Sequence, residues 1–169
     1  MPDIVMVVAP TVFRDEEYAE PKAILEARGA RVITASVAPG ELVGRFGLKA
    51  QATVSVAQAA EQTWDAVVFV GGGGSAVFFD DEAAHALARA QAGRDGVLAA
   101  ICIAPSTLAH AGLLGGVRAT AFPDRESDLK AHGALWTGER VTVDGRIITG
   151  NGPAAAASFA EAIAEALGI

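Results

Sequence analysis

Short apolar runs of strand length alternate along this chain with segments of helical period, and this alternation constrains the fold more than any other feature. Three such runs are candidates for buried strands: residues 3–9, 30–37 and 97–101. Strands separated by helices pair in parallel, and the connecting helices cover both faces of the sheet. The sequence therefore predicts an α/β protein, a three-layer sandwich with a mainly parallel sheet and helices on both faces.

The segments between these strands have recognisable ends. Pro21 suits the first residue of a helix that stops at Gly29. The run Asp65–Val70 is typical of a buried strand, and four glycines at 71–74 close it. A helix over about 81–92 follows.

The rest of the chain predicts two hairpins, one more strand and a final helix. Residues 38–58 contain glycines and a proline around two short β-like pieces, which indicates a hairpin or an excursion beside the main sheet. Val117–Phe122 is typical of a strand, 140–149 of a hairpin, and Ala154–Leu167 of a helix. Because no repeat or linker interrupts the pattern, we predict a single domain over residues 1–169.

The only cysteine, Cys102, lies where the strand 97–101 gives way to a predicted helix start. At such a junction in a parallel sheet, the turn lifts the side chain above the carboxyl edge of the sheet, toward the unpaired N–H groups of the helix. These groups and the helix dipole favour the thiolate over the thiol. The alternative is a buried cysteine that acts as a small hydrophobic side chain.

Loops that leave the carboxyl ends of parallel strands converge on one crevice. The glycine run allows positive φ angles and brings backbone N–H groups close to a ligand. We therefore expect Gly71 and Gly72, with the amide of Ile103, to form an oxyanion or substrate-binding site. The run has neither the lysine of a Walker loop nor the spacing of a dinucleotide fingerprint, so it is weak evidence for phosphate binding.

Carboxyl groups crowd the loop after the first strand. An ionised carboxylate beside a cysteine repels the thiolate, whereas a protonated carboxylic acid donates a hydrogen bond to sulfur and stabilises it, so the two titrations are coupled. The alternative is ordinary acidic enrichment at a helix amino terminus, which contributes ~0.3–1 kcal/mol per side chain. The residues concerned are Asp15, Glu16, Glu17 and Glu20.

Charge and metal-ligand content narrow the functional classes. A net charge of −7 argues against a nucleic-acid surface, which needs clustered cations. One cysteine forms no internal disulfide, and the widely spaced His85, His110 and His132 form no zinc-like sequence cluster, so we predict no metal and no cofactor.

The first ten residues lack a basic leader, and their apolar run is too short for a membrane span. We expect a cytoplasmic protein whose partners are small molecules or proteins.

Four stretches resemble the ThiJ/PfpI superfamily and together span nearly the whole chain. They carry an F-x-D-x-E-x-x-x-P loop, an A-I-C-x-x-P turn and a late G-x-G-P. The resemblance implies a flavodoxin-like sandwich, a nucleophile-elbow cysteine at Cys102 in strained backbone geometry, and an acid of the family at Glu17. The stretches are 13–21, 64–74, 100–114 and 148–156.

One feature of the superfamily is missing, because its hydrolases and glyoxalases usually supply a histidine near the cysteine. Protease-like and chaperone-like members carry it directly after the cysteine, where this chain has Ile103. The deglycase-like group carries it before a proline, where this chain has Phe122-Pro123. His110 is eight residues along the predicted helix, about 12 Å by the helical rise, too far to act as a base. The other two histidines, His85 and His132, would approach Cys102 only through the fold or from a partner subunit.

Two functional classes remain open. The first is a cysteine-dependent enzyme acting on small electrophiles such as glyoxals, in which Cys102 adds to the carbonyl and Glu17 moves the proton. The second is a non-enzymatic, oxidation-responsive protein whose cysteine becomes a sulfinic acid. Intracellular peptidase or amidase activity is a third and less favoured interpretation.

Two further expectations concern partners. Arg14, beside the acidic loop, could bind an anionic substrate or bridge two subunits, although a plain surface arginine is the simpler interpretation. The chain is 51% hydrophobic, which indicates a self-association surface beyond the core. The resemblance implies the same, and we expect a homodimer.

Overall fold

The computed structural model describes residues 1–169 and contains twelve strands in three sheets. In chain order the strands are β1 (Asp3–Val7), β2 (Thr11–Phe13), β3 (Arg31–Ser36), β4 (Gly40–Gly44), β5 (Lys49–Ala52), β6 (Val54–Ser55), β7 (Ala66–Phe69), β8 (Val97–Ile101), β9 (Arg118–Ala119), β10 (Leu135–Trp136), β11 (Val141–Asp144) and β12 (Ile147–Gly150). The main sheet has the order β11-β12-β8-β7-β1-β3-β6, and only the β11–β12 pair is antiparallel. The predicted mainly parallel sheet is confirmed.

Six helices cover this sheet on both faces. They are α1 (Asp15–Ala27), α2 (Val56–Ala60), α3 (Glu82–Gly93), α4 (Pro105–His110), α5 (Glu126–Ala131) and α6 (Ala156–Leu167). Buried side chains of α2, α3, α4 and α5 pack on one face, and those of α1 and α6 pack on the other. None of these helices combines the length and the apolar character that crossing a lipid bilayer requires.

The central strand β1 shows why apolar runs predicted buried strands. Successive side chains of a strand point to opposite faces, so a strand covered on both sides must be apolar at every position. Val5 and Val7 belong to the core on the α3 face, whereas Ile4 and Met6 belong to the core on the α1 face. All four side chains are fully buried.

The predicted hairpins and final helix are present. Residues 38–58 contain the antiparallel pair β4–β5, which joins β2 in a three-stranded sheet beside the main one. The 140–149 hairpin is β11–β12, whose second strand extends the main sheet. The predicted 154–167 helix is α6, preceded by a 3-10 turn at Pro153–Ala155.

The predicted helix start at Pro21 is wrong, because α1 begins six residues earlier and Pro21 lies inside it. The first turn holds three acidic residues, and the positive end of the helix dipole stabilises their negative charges. The Asp15 carboxylate also accepts the N–H groups of Phe46 and Leu48 at 3.1 and 3.0 Å, which ties this turn to the β4–β5 hairpin. These contacts outweigh the single hydrogen bond that the proline removes.

The predicted strand Val117–Phe122 is largely wrong. Only Arg118–Ala119 is a strand, and it pairs with β10 outside the main sheet. The next backbone groups bind loops and side chains: Thr120 donates its N–H to Thr149 Oγ1 at 3.0 Å, and Phe122 donates to the Cys102 carbonyl at 2.8 Å. This segment therefore closes over the sheet edge where β8 ends.

Candidate active site

Cys102 follows directly after β8 and has a left-handed backbone conformation, with φ of +65°. A residue with a Cβ holds such a conformation at a cost on the order of 1–3 kcal/mol, so the surroundings must enforce it. Its N–H donates to the Gly150 carbonyl at 2.9 Å, and its carbonyl accepts the Phe122 N–H at 2.8 Å. The residue is 8% exposed. These two bonds hold the sulfur at the carboxyl edge of the sheet.

Glu17 is the buried acid of the site. It lies in the first turn of α1 and is 0% exposed. Its oxygens have no donor within normal hydrogen-bond limits, and the polar groups that face them are the Cys102 thiol and the Gly71 N–H. Burial raises the pKa of the carboxyl to about 7, and the contact with the thiol only partly opposes this.

Gly71 and Gly72 allow the first loop and the cysteine turn to meet. A Cβ on Gly71 would collide with the Glu17 carboxylate and with Cys102. Gly72 has φ of +98°, and a Cβ there would collide with the backbone of Arg14. The Gly71 carbonyl accepts the Arg14 N–H at 3.0 Å. Both positions therefore require glycine, and their role is the close approach of two backbones.

Two backbone N–H groups, those of Gly72 and Ile103, face the Cys102 sulfur. They favour a negative charge there, as expected for an oxyanion or thiolate site. Burial nevertheless raises the pKa of the Cys102 thiol to about 12, and the Glu17 charge raises it by more than either N–H group alone lowers it. The expectation that Cys102 is a thiolate is therefore wrong as long as Glu17 is ionised. The helix α4 has only six residues and begins at Pro105, so its dipole offsets little of the burial.

The sulfur opens into a pocket of about 150 Å³. Four of the predicted residues line it, whereas Glu17 and Gly71 do not. Arg45 and Asp124 also line it, and neither carried a sequence signal, because each belongs to a segment that only tertiary packing brings to this edge. The lining residues are Arg14, Arg45, Gly72, Gly73, Cys102, Ile103, Phe122, Asp124 and Pro153.

The two arginines differ in how their charge is balanced. Arg14 binds Glu16 through two nitrogens at 3.0 and 2.9 Å. Arg45 has no carboxylate oxygen within 4.0 Å. Both guanidinium groups lie over the exposed ring of Phe46, at 5.0 and 5.5 Å from its centroid. Arg45, rather than the predicted Arg14, carries the unpaired positive charge.

No histidine lines the pocket. His85 lies on α3 as expected, where its Nε2 is 2.7 Å from the Phe79 carbonyl. His110 and His132 do not stay apart as their sequence spacing suggested, because their ring centroids lie 4.6 Å from each other. Glu17 is therefore the acid–base side chain that faces the sulfur.

Comparison with known proteins agrees with this architecture. An uncharacterized protein of Methanocaldococcus jannaschii is 35% identical over 167 residues, covering 97% of this chain and 82% of that protein. A Pyrococcus horikoshii protein named a deglycase is 28% identical, covering 89% of this chain and 90% of its own. The crystal structure of a ThiJ/PfpI domain protein from Brachyspira murdochii superimposes with a TM-score of 0.94 at 32% identity, covering 98% of this chain and 96% of that one. The DJ-1/PfpI family profile matches residues 3–166, and the chain belongs to the DJ-1/PfpI family.

Proposed function

We propose that this protein is a cysteine-dependent enzyme acting on small reactive carbonyl compounds such as glyoxals. The turn at Cys102 acts as a nucleophile elbow, and Glu17 carries the proton. The observation that supports this most directly is the fully buried Glu17 carboxyl facing the Cys102 thiol. A buried acid without an ion-pair partner costs stability, and such groups are concentrated at functional sites.

The chemistry begins with a proton transfer from the thiol to the Glu17 carboxylate. The pair then consists of a thiolate and a carboxylic acid, the arrangement in which the acid stabilises the sulfur charge. The sulfur electron pair forms a bond to the aldehyde carbon, and the carbonyl π electrons move to oxygen. Glu17 returns its proton to that oxygen, which gives a hemithioacetal. The N–H groups of Gly72 and Ile103, which face the sulfur, are the candidate donors to the developing oxyanion.

The pocket size supports a small substrate. The volume of about 150 Å³ leaves room beside the sulfur for a compound of a few heavy atoms. The missing histidine base argues against the peptidase interpretation.

The test is consumption of methylglyoxal by purified protein. We expect turnover that Cys102→Ser abolishes and that Glu17→Gln lowers about 100-fold or more, within the usual contribution of a positioned acid–base group. Glu20→Gln is the matched control, because Glu20 is an exposed acid on the same helix outside the site. Absence of cysteine-dependent turnover of methylglyoxal and a panel of related electrophiles would contradict the proposal.

Oxidation sensing is a second candidate, and the absence of a histidine from the pocket favours it. In this reaction the thiolate attacks hydrogen peroxide and the O–O bond breaks, which gives a sulfenic acid and a hydroxide that the Glu17 proton converts to water. A second peroxide gives the sulfinic acid. The Gly72 and Ile103 N–H groups are donors for the new oxygens. Mild peroxide should add about 32 Da to the intact mass, as two oxygens require, and Cys102→Ser should prevent it. An unchanged mass would reject this candidate.

We also propose that the protein is a homodimer. Three large apolar side chains on or beside the pocket rim are exposed, namely Val12, Phe46 and Phe122. Exposed apolar side chains that lie together in this way are typical of a surface that associates with another protein chain. Sedimentation should give the dimer mass, and Phe46→Ser should weaken association. A monomer at all accessible concentrations would contradict it.

A further inference from the structure

A second cluster of polar side chains joins α4 to α5, outside the cysteine pocket. His110 is the last residue of α4, Asp128 lies within α5, and His132 directly follows α5. One ligand atom from each of the three lies within 4.8 Å of the other two. None of these residues lines the cysteine pocket.

We propose that His110, Asp128 and His132 bind a divalent first-row transition metal ion, with Zn²⁺ as the probe. Imidazole and carboxylate donors suit Zn²⁺ and its neighbours in the series. Three protein ligands with a solvent-facing fourth position are the pattern of an open zinc site. Side chains of His110 and Asp128 are 18% and 19% exposed, and that of His132 is 37% exposed, so an ion can enter from solvent.

Both histidines make the contact through their second ring nitrogen that metal-ligating histidines usually make. A ligating histidine donates its second ring N–H to a carboxylate or backbone carbonyl, which fixes the tautomer and the ring direction. His110 Nδ1 lies 2.8 Å from Asp80 Oδ1, and His132 Nδ1 lies 2.8 Å from the Asp128 backbone carbonyl. When these Nδ1–H groups donate, Nε2 of each ring carries the lone pair that a metal needs.

The second ring nitrogen of His110 strengthens this argument. His110 Nε2 lies 2.9 Å from Asp128 Oδ2, so carboxylates face both nitrogens of one ring. A protonated imidazole donates to both carboxylates, whereas a neutral imidazole has a single N–H and donates to only one of them. A metal ion between Nε2 and Asp128 satisfies the second contact and leaves the first to Asp80. A metal ion at the Asp128 side of the ring would therefore take the place of the second proton of a charged His110.

The distance between His110 and Asp128 is close to that of a coordination shell, whereas His132 must rotate to complete one. Zinc–nitrogen and zinc–oxygen bonds of about 2.0–2.2 Å place tetrahedral ligand atoms roughly 3.3–3.5 Å apart. Asp128 Oδ2 lies 2.9 Å from His110 Nε2, whereas the 3.6 Å contact of Asp128 Oδ1 with His132 is made by Nδ1 and not by the proposed ligand atom Nε2. The two rings are stacked, with 25° between their planes, so binding requires the His132 ring to turn until the lone pairs converge. Its exposed position at the end of α5 permits that rotation.

One positive side chain competes for the same carboxylate. Arg125 Nη2 lies 3.5 Å from Asp128 Oδ2, while its Nε donates to Ser106 Oγ at 3.0 Å. The Asp128 contact is long, and Arg125 is held in addition by Ser106, which itself lies beside Asp128. A metal ion therefore displaces a weak ion pair and leaves Arg125 anchored.

The experiment is calorimetric titration of tag-free, chelator-treated protein with Zn²⁺ in a Cys102→Ser background, which removes the only thiol. We expect one equivalent to bind, His132→Gln to weaken binding at least tenfold, and Co²⁺ to give visible absorption that the variant loses. The matched control is His85→Gln, because His85 lies outside the cluster and its loss should leave affinity unchanged.

His132 carries the test because it is the most exposed of the three ligands, and circular dichroism checks that the variant folds. Zn²⁺ should also raise Tm in the Cys102→Ser protein and not in its His132→Gln derivative, since a ligand that binds only the folded state stabilises it. Absence of binding, or binding that His132→Gln leaves unchanged, would overturn the proposal. Either result leaves the proposed carbonyl activity untouched, because that activity is measured through Cys102 and Glu17.

Discussion

The Glu17 carboxyl faces the Cys102 thiol beside Gly71, although 85 positions separate the two residues (102 minus 17). Glu17 comes from the first turn of α1 and Cys102 from the end of β8. Their meeting depends on parallel pairing, which brings the carboxyl ends of β1, β7 and β8 to one edge. Burial raises the pKa of both groups, so near neutral pH the pair holds between one and two protons.

The first prediction concerns the pH dependence of thiol reactivity. Below pH 7 both groups are protonated, and above it the pair retains one proton that the sulfur and the carboxyl share. The rate of iodoacetamide alkylation should therefore rise in a step near pH 7, where the pKa of Glu17 lies, and again toward the thiol pKa of about 12. Glu17→Gln should lose the lower step and show a single rise below pH 12, because the repelling charge is gone. Identical profiles would contradict the coupling.

The second prediction concerns stability. The pKa of Glu17 is raised from 4.5 to about 7 on folding, so its contribution to stability is full below pH 4.5 and is lost as pH rises through 7. The loss is on the order of 3 kcal/mol. Urea unfolding at pH 5 and pH 8 should show Glu17→Gln gaining stability relative to the wild type as pH rises. A constant difference between the two proteins at both pH values would refute this.

The third prediction concerns Gly71. Gly71→Ala places a methyl group against Glu17, Cys102 and the Ile101 carbonyl, so the first loop and the cysteine turn must move apart. Overpacking of this kind costs about 1–3 kcal/mol, and we expect slower alkylation of Cys102 as well. Gly93→Ala is the control, because a Cβ there meets nothing within 4 Å and α3 should gain about 0.4–1 kcal/mol. Equal effects of the two variants would show that close approach at Gly71 is unimportant.

The fourth prediction concerns Arg45, whose charge has no carboxylate partner in the pocket wall. If glyoxals are turned over, a carbonyl substrate that bears a carboxylate, such as glyoxylate, should depend on this charge. Arg45→Ala should lower kcat/KM for glyoxylate about two- to fivefold, the range of an exposed ion pair, and leave the value for uncharged methylglyoxal nearly unchanged. A parallel loss for both substrates would mean that Arg45 does not select for charge.

The sequence alone indicated the layered fold because local patterns report burial. The strands 3–9 and 97–101 were recognisable since a strand covered on both faces must be apolar throughout. Shared strand ends in a parallel sheet predicted that the acidic loop lies near Cys102, but only the resemblance to the superfamily singled out Glu17 among the four acids of that loop. The helix start at Pro21 was misplaced, since the contacts of Asp15 with the β4–β5 hairpin are not local.

Tertiary structure alone decided what surrounds those residues. His110 and His132 are far apart in the chain but stack at 4.6 Å, and Arg45 and Asp124 reach the pocket from separate segments. The ionisation of Cys102 was also beyond the sequence, because it depends on how far burial outweighs two backbone N–H groups. Apolar periodicity is a property of neighbouring residues, whereas desolvation and side-chain convergence depend on atoms that the completed packing brings together.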